Sequence, residues 1–333
     1  MQPRKVRPGS RSGGPTAGRT LFTAGVTVYE RVLVTGGNGL LGTKMLGLLL
    51  AEGRRPISAS LGPEPTNRFL GEFPYYSVDI TDRDAVCRLL EALRPDAVIH
   101  TAAFTAVDAC ESQRELSWLV NVDGTAHVVR ACREIGARLV HVSTEYVFDG
   151  ERGPYSEEDE PNPISHYGRT KLESERRVQE GCSDWAIGRT TVLFGHAPNV
   201  RPSFVAWMVD KLGRGERIRV VDDQISSPTL ADNLARMLLA ILDSGRVGTY
   251  NTVGDTILDR FSFALLVARY FGLDAGLIDR IKTPELGQPA PRPLRAGLLM
   301  DRFKREFPHV PVLTAEQALQ ELRRQMAAPL TGE

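Results

Sequence analysis

The segment RVLVTGGNGLLG, residues 31–42, constrains the fold more than any other stretch of this chain. RVLVT is a short β-branched run that reads as a buried strand. LLGTKMLGLLLAEG follows and reads as a helix ending at Gly53. Between them Gly36, Gly39 and Gly42 stand at GxxGxxG spacing. At such a junction one glycine permits the tight turn, one lets backbone approach a pyrophosphate, and one lets the helix pack closely on the sheet. The helix N-terminus then offers free N–H groups and partial positive charge. Gly36, Asn38, Gly39, Leu40, Leu41 and Gly42 are therefore candidate contacts to a dinucleotide. A glycine-rich turn needed only for packing is the plainer alternative.

The segments downstream extend this unit. PISAS reads as a second strand, DRDAVCRLLEAL as an amphipathic helix and DAVIHTAA as a strand. NVDGTAHVVRACREIG, ARLVHVS, SHYGRTKLESERRVQEG and WAIGRTTVLFG continue as helix, strand, helix and strand. Strands separated by helices imply right-handed crossovers and a parallel sheet covered on both faces. After about residue 195 helical patterns dominate, with IRVV and GTYNTV as short strands. The expected class is α/β, a Rossmann-type doubly wound parallel sheet with a smaller mixed C-terminal substrate domain. The expected boundaries are an extension over 1–28, a dinucleotide-binding domain over 29–195, and a mainly substrate-binding region over 196–328 that includes some sheet-completing segments. Residues 1–28 are rich in Gly, Arg, Pro, Ser and Thr and lack acids, which suits a disordered extension or a transit peptide.

Composition excludes several function classes. The 333 residues carry 41 basic and 41 acidic side chains, so no net field favours nucleic acid or anionic lipid. No apolar run is long enough to span a bilayer. Cys87, Cys110, Cys132 and Cys182 lack CxxC spacing, and the six histidines lack metal-ligand spacing, so no metal site is expected. Free thiols suit a reducing, cytoplasmic setting.

A NAD-selective fold often carries an acid at the end of the second strand for the ribose hydroxyls. Here Ser60 stands near that place, Glu64 comes late, and Arg68 is close by. The missing acid gives NADP a slight preference over NAD. Asp79, with Ile80 beside it, can reach the adenine edge, and a turn or N-cap acid is an equal reading of Asp79. Ala102 and Ala103 are small enough at a strand end for a flat cofactor to lie against the sheet.

Tyr167 and Lys171 stand at i and i+4 and share one helix face. A free phenol titrates near pH 10, too high to trade protons readily at neutrality. A nearby ammonium is expected to lower that value and make the phenol a usable general acid or base. Ser143 and Thr144 in STEYVFDG lie at the end of a strand, where a hydroxyl can polarise a carbonyl. YxxxK alone is common by chance. The order of glycine turn, strand-end Ser-Thr and YxxxK is not.

With these motifs the chain resembles the extended short-chain dehydrogenase/reductase superfamily, and within it the dTDP-4-dehydrorhamnose reductases. The stretches that carry the likeness include TAVDACES, HVSTEYVFDG, PNPISHYGRTKLESE, VVDDQISSPT and PRPLRAGLLMD. The resemblance implies a catalytic triad of Thr144, Tyr167 and Lys171. Tyr167 would give a proton to the C4 oxygen of a nucleotide-linked 6-deoxy-4-keto sugar as hydride arrives from nicotinamide. Asn121 stands where the superfamily often has a supporting asparagine, and a helix N-cap is the competing reading. Thr105 and Val107 would lie near the sugar. Gln224 and Arg292 are candidates for the nucleotide end, with an exposed loop arginine as the plainer view of Arg292.

Four departures stand out. Glu145 replaces the usual aspartate, Val192 stands where a substrate-contacting tryptophan is common, and Lys44 replaces an acid that in some members helps bind magnesium at a dimer contact. The N-terminal extension has no family counterpart. His166 adjoins Tyr167 but points elsewhere on the helix, which suits a structural or solvent-facing role. The expected partners are a nucleotide-sugar substrate and, at most, a second copy as a homodimer. Two other readings fit the scaffold: a sugar-nucleotide epimerase or dehydratase, and a non-catalytic subunit like the regulatory β subunit of methionine adenosyltransferase.

Overall fold

Val32 and Val34 face one side of their strand and Leu33 the other, and all three are fully buried. A strand buried on both faces requires covering layers on both. The computed structural model, which describes residues 21–23 and 26–327, supplies them around one seven-stranded sheet. Its strands are β1 (Arg31–Thr35), β2 (Arg55–Ser60), β3 (Tyr75–Ser77), β4 (Ala97–His100), β5 (Arg138–Thr144), β6 (Trp185–Thr190) and β7 (Gly248–Asn251). They lie in the order β3–β2–β1–β4–β5–β6–β7, and every neighbouring pair is parallel. The order reverses between β1 and β4, and such a reversal opens a crevice at the carboxyl edge of the sheet. This is the doubly wound α/β architecture the sequence implies.

The larger helices are α1 (Leu40–Ala51), α2 (Arg83–Leu93), α3 (Gly124–Ile135), α4 (His166–Gly181), α5 (Phe204–Gly213), α6 (Ala231–Ser244), α7 (Arg260–Phe271) and α8 (Ala315–Ala327). Met45, Leu46 and Leu49 of α1 join Leu234, Met237 and Leu238 of α6 against Val32, Val34 and Val140. On the other face α2, α3 and α4 place Leu90, Val128 and Val178 against Leu33, Val98 and Leu139. A third core, with Met208, Phe263 and Leu319, joins α5, α7 and α8.

Tyr75–Ser77 is a strand that no sequence pattern announces, being three residues long and only half-buried. GTYN, expected as a short strand among C-terminal helices, becomes the edge strand β7 of the main sheet beside β6. IRVV pairs instead with Ile278–Ile281 in a separate two-stranded sheet. Asn121 is not an N-cap. The helical run starts earlier, at Arg114, and Asn121 lies within the π-turn Leu119–Asp123 that leads into α3. Within the expected extension, Leu21–Thr23 pairs antiparallel with Val26–Val28; its other residues lie outside those described. All four cysteines are free thiols. Among the described residues no helix is long and apolar enough to cross a membrane.

Candidate active site

A cavity of about 830 Å³ opens at the carboxyl ends of β1, β2, β4, β5 and β6. Every turn and cofactor-side candidate lines it: Gly36, Asn38, Gly39, Leu40, Leu41, Gly42, Asp79, Ile80, Ala102 and Ala103. Thr105, Val107, Thr144, Tyr167 and Lys171 line the same space.

The turn is shaped for close approach. Gly36 holds φ +69°, a left-handed value that a side chain resists. A Cβ on Gly42 would stand 2.3 Å from the Gly36 carbonyl oxygen and 2.7 Å from Gly37 Cα. Gly39 is the N-cap of α1 and has no side chain to cover its first N–H groups. This cradle fits a pyrophosphate at a helix N-terminus. Gly42→Ala is expected to force the turn apart, weaken NADPH binding in a fluorescence titration, and cost about 1–3 kcal/mol in urea unfolding.

Asn38 lines the cavity, but its side chain is already engaged. Its amide nitrogen donates to Glu64 O at 3.0 Å and to the Tyr75 hydroxyl at 3.2 Å, and its oxygen accepts from Thr66 N at 3.0 Å. Asn38 therefore ties the 61–67 loop over the site and leaves its backbone for a ligand. Ser60 and Leu61 form the wall at the end of β2, where a NAD-selective fold often carries an acid. Arg68 pairs with Glu64 in the open and does not line the cavity. Asp79 is a turn acid, accepting from Thr81 N and Oγ1, while Asp82 caps α2.

Helix α4 inverts the usual pattern. Its buried face carries Tyr167, Lys171, Ser174 and Glu175, while Arg176 and Arg177 are exposed. The Ser165 hydroxyl starts the helix by accepting from Gly168 N at 3.1 Å. Lys171 Nζ donates to Val142 O at 2.9 Å and meets His141 Nε2 at 3.1 Å. Burial holds the Lys171 ammonium down at about 8, with Glu175 pulling it back up. Burial and the Lys171 charge keep His141 well below its usual range, so it is neutral, with its Nε2 meeting Lys171 Nζ and, at 3.0 Å, Ser174 Oγ.

Tyr167 behaves differently from the sequence expectation. Its phenol is raised above the usual value, first by burial, then by Glu145 and Tyr146, against a lowering hydrogen bond with Thr144. The Lys171 ammonium is directed at Val142 O and His141. Tyr167 is thus kept as a protonated acid. Tyr146 packs edge-on to it at 5.6 Å. Burial also lifts Glu145 to about 8. Ser143 Oγ is buried at the cavity without a hydrogen-bond partner.

Asn121 supports the floor from behind. Its oxygen accepts from Phe104 N at 2.7 Å, and its nitrogen donates to Phe104 O at 3.1 Å and Thr170 Oγ1 at 2.9 Å. The strand-end loop carrying Ala102, Ala103 and Thr105 is thereby fixed to α4. His166 is structural, with its backbone N–H donating to Glu111 and its ring bonded to Arg114 O.

Gln224 and Arg292 do not line the cavity. Gln224 lies behind it, where its oxygen accepts from Arg260 Nε at 3.0 Å and its nitrogen donates to Thr283. Arg292 is not an exposed loop arginine either. Its side chain is buried, pairs with Asp108 at 2.9 Å and donates to Ala290 O. Arg201 and Arg260 do line the cavity.

A family model described as the RmlD substrate binding domain matches residues 30–327. The chain belongs to the RmlD family. It is 35% identical over 277 residues to a probable low-salt glycan biosynthesis reductase of Haloferax volcanii, covering 82% of this chain and 91% of that one. It is 34% identical over 269 residues to the dTDP-4-dehydrorhamnose reductase of Mycobacterium tuberculosis, covering 79% and 83%. The crystal structure of dTDP-4-dehydrorhamnose reductase from Bacillus anthracis in complex with NADP superposes with TM-score 0.79 at 30% identity, covering 90% of this chain and all of that one.

This RmlD chain keeps the family frame and changes details inside it. Lys44 forms an ion pair with Asp232 of α6 at 3.1 Å and a hydrogen bond with Gln325 of α8 at 3.0 Å. Its ammonium thus fastens α1 to two C-terminal helices. Val192 lines the cavity and leaves its wall apolar and short. Sequence reasoning missed Arg201, Arg260 and Tyr146. Neither arginine carries a periodic signal, because each sits at a loop or helix start whose direction is set by distant packing.

Proposed function

We propose that this chain is a nicotinamide-dependent reductase of the C4 keto group of a nucleotide-linked 6-deoxy-4-keto sugar. Family membership supports the oxidoreductase class. The observation that carries the reading is one cavity joining the glycine turn to Thr144, Tyr167 and Lys171, with Arg201 and Arg260 in its lining. Two arginines suit the diphosphate of a sugar nucleotide.

When bound, the nicotinamide supplies a hydride to the keto carbon. Thr144 donates a hydrogen bond to the carbonyl oxygen and polarises it. Tyr167 donates its proton to that oxygen as the alcohol forms. A phenol kept protonated is fit to do this, because the nascent alkoxide is a stronger base than phenolate. Lys171, anchored on Val142 O and beside His141, has one further donor to present to the cofactor ribose. The sugar gains two electrons and one proton with the hydride, and the phenol is reprotonated from solvent.

NADP is the preferred cofactor in this reading. A carboxylate at the end of β2 would repel a 2′-phosphate, and Ser60 and Leu61 stand there instead. The test is net loss of reduced-nicotinamide absorbance with dTDP-4-keto-6-deoxy sugars, with kcat/KM higher for NADPH than for NADH. Tightly held, unconsumed cofactor would instead identify an epimerase or dehydratase. Binding to a methionine adenosyltransferase catalytic subunit without any turnover would identify a regulatory subunit.

A further inference from the structure

His141 lies wholly buried on β5, its ring stacked on that of His100 from β4 with centroids 5.2 Å apart. Its Nε2 stands 3.1 Å from Lys171 Nζ and 3.0 Å from Ser174 Oγ, both on α4. The Ser174 hydroxyl donates to Lys171 O at 2.7 Å, so its one hydrogen is already taken. The same accounting fixes His100. Thr125 Oγ1 donates to Asn121 O at 2.6 Å and so accepts from His100 Nε2 at 3.1 Å. His100 Nδ1 then accepts from Thr35 Oγ1 at 2.6 Å. With both nitrogens bonded, this ring is a fixed shelf against His141.

We infer that His141 is a positioning residue whose Nε2 lone pair takes one hydrogen of the Lys171 ammonium, so that the hydrogen left over is aimed into the cavity at the cofactor ribose. This rests on the nicotinamide reading of the cavity above. An ammonium has three hydrogens. Val142 O, at 2.9 Å, takes one, and His141 takes the second. Tetrahedral geometry then leaves a single direction for the third. A carboxylate in place of His141 would also fix Lys171 but would cancel its charge. A neutral imidazole orients the ammonium and leaves that charge to act on the ligand. Glu175, the carboxylate one turn further along α4, is committed to Arg189 through both oxygens.

The inference requires one tautomer of His141. A hydrogen on Nε2 would serve Ser174 but would set an N–H dipole against an ammonium 3.1 Å away. A lone pair on Nε2 faces the ammonium favourably and sends the ring hydrogen to Nδ1, which is buried without a partner. That unpaired hydrogen is a cost. It is offset at Nε2 by a charge-assisted bond, about twice as strong as a neutral one.

Two measurements test this, and neither needs turnover. In wild-type protein carrying nitrogen-15 histidine, long-range proton–nitrogen correlations at neutral pH report the tautomer, with His141→Gln assigning the ring. A bare Nε2 with the proton on Nδ1 supports the inference, and a proton on Nε2 overturns it. The second measurement is a cycle of NADPH binding titrations. His141→Leu is expected to raise the NADPH Kd about tenfold, the worth of one hydrogen bond from a charged group. His141→Gln, whose carbonyl oxygen accepts in place of Nε2, is expected to stay within about threefold of wild type. In a Lys171→Met background His141→Leu should add nothing, since both changes act through one hydrogen bond. Additive losses would overturn the inference, and so would an unchanged Kd in a folded His141→Leu protein. If His141→Leu does not fold, the wild-type tautomer decides. If the protein binds NADPH with these results but reduces no keto sugar, the reductase reading falls and the role of His141 stands.

Discussion

Tyr167→Phe lowers kcat by about 10²–10⁴-fold, the usual contribution of a positioned proton donor, and leaves NADPH affinity within a few-fold. The ring itself remains, still edge-on to Tyr146 and still filling the buried face of α4. Only the hydroxyl goes, and with it the proton that the nascent alcohol takes. A loss confined to kcat would assign Tyr167 to the chemical step, since uniform binding losses appear in KM. Stopped-flow hydride transfer together with a binding titration makes the check. A variant that turns over at the wild-type rate would remove Tyr167 from the mechanism and with it the reason for reading this cavity as a reductase site.

Glu175→Gln is expected to cost about 3–5 kcal/mol of unfolding free energy, because it strands a buried guanidinium. Glu175 on α4 receives two hydrogen bonds from Arg189 on β6, at 2.9 and 2.7 Å, and both side chains are almost wholly removed from solvent. Arg189 also lies over the Phe148 ring at 5.1 Å, so it has no route to water. Replacing both partners by apolar residues of similar size, Glu175→Leu with Arg189→Met, should cost less than Glu175→Gln alone. Urea unfolding of the three proteins measures this. The same substitution has a functional trace. Glu175 raises Lys171 toward its ordinary value, so losing its charge lets Lys171 deprotonate at lower pH and moves the alkaline limb of activity down. The pair thus links the stability of α4 to the protonation of Lys171.

The parts of the site that were legible are those with a local signature. The glycine turn announces itself because a left-handed φ at Gly36 and a backbone contact at Gly42 admit little else. Tyr167 and Lys171 are placed on one face by helical period alone. A strand buried on both sides, such as β1, reads as a continuous apolar run. What the sequence leaves open falls where the deciding neighbour is far along the chain. Arg292 looked free because Asp108, which holds it, lies 184 residues earlier. Gln224 braces Arg260, which no local pattern singles out. Tyr75–Ser77 becomes a strand only because the exposed edge of β2 offers it a ladder.

Taken alone, the sequence determined the doubly wound sheet, the cradle at its first turn, and the order of threonine, tyrosine and lysine along the chain. These follow from steric limits and from the periods of helix and strand, which act over a few residues. The tertiary structure decided which groups carry a proton. Glu145 is held as an acid, Tyr167 is kept protonated and Lys171 is brought near neutrality by burial among neighbours drawn from separate elements. Solvation and charge act through space, and no local pattern of residues records them.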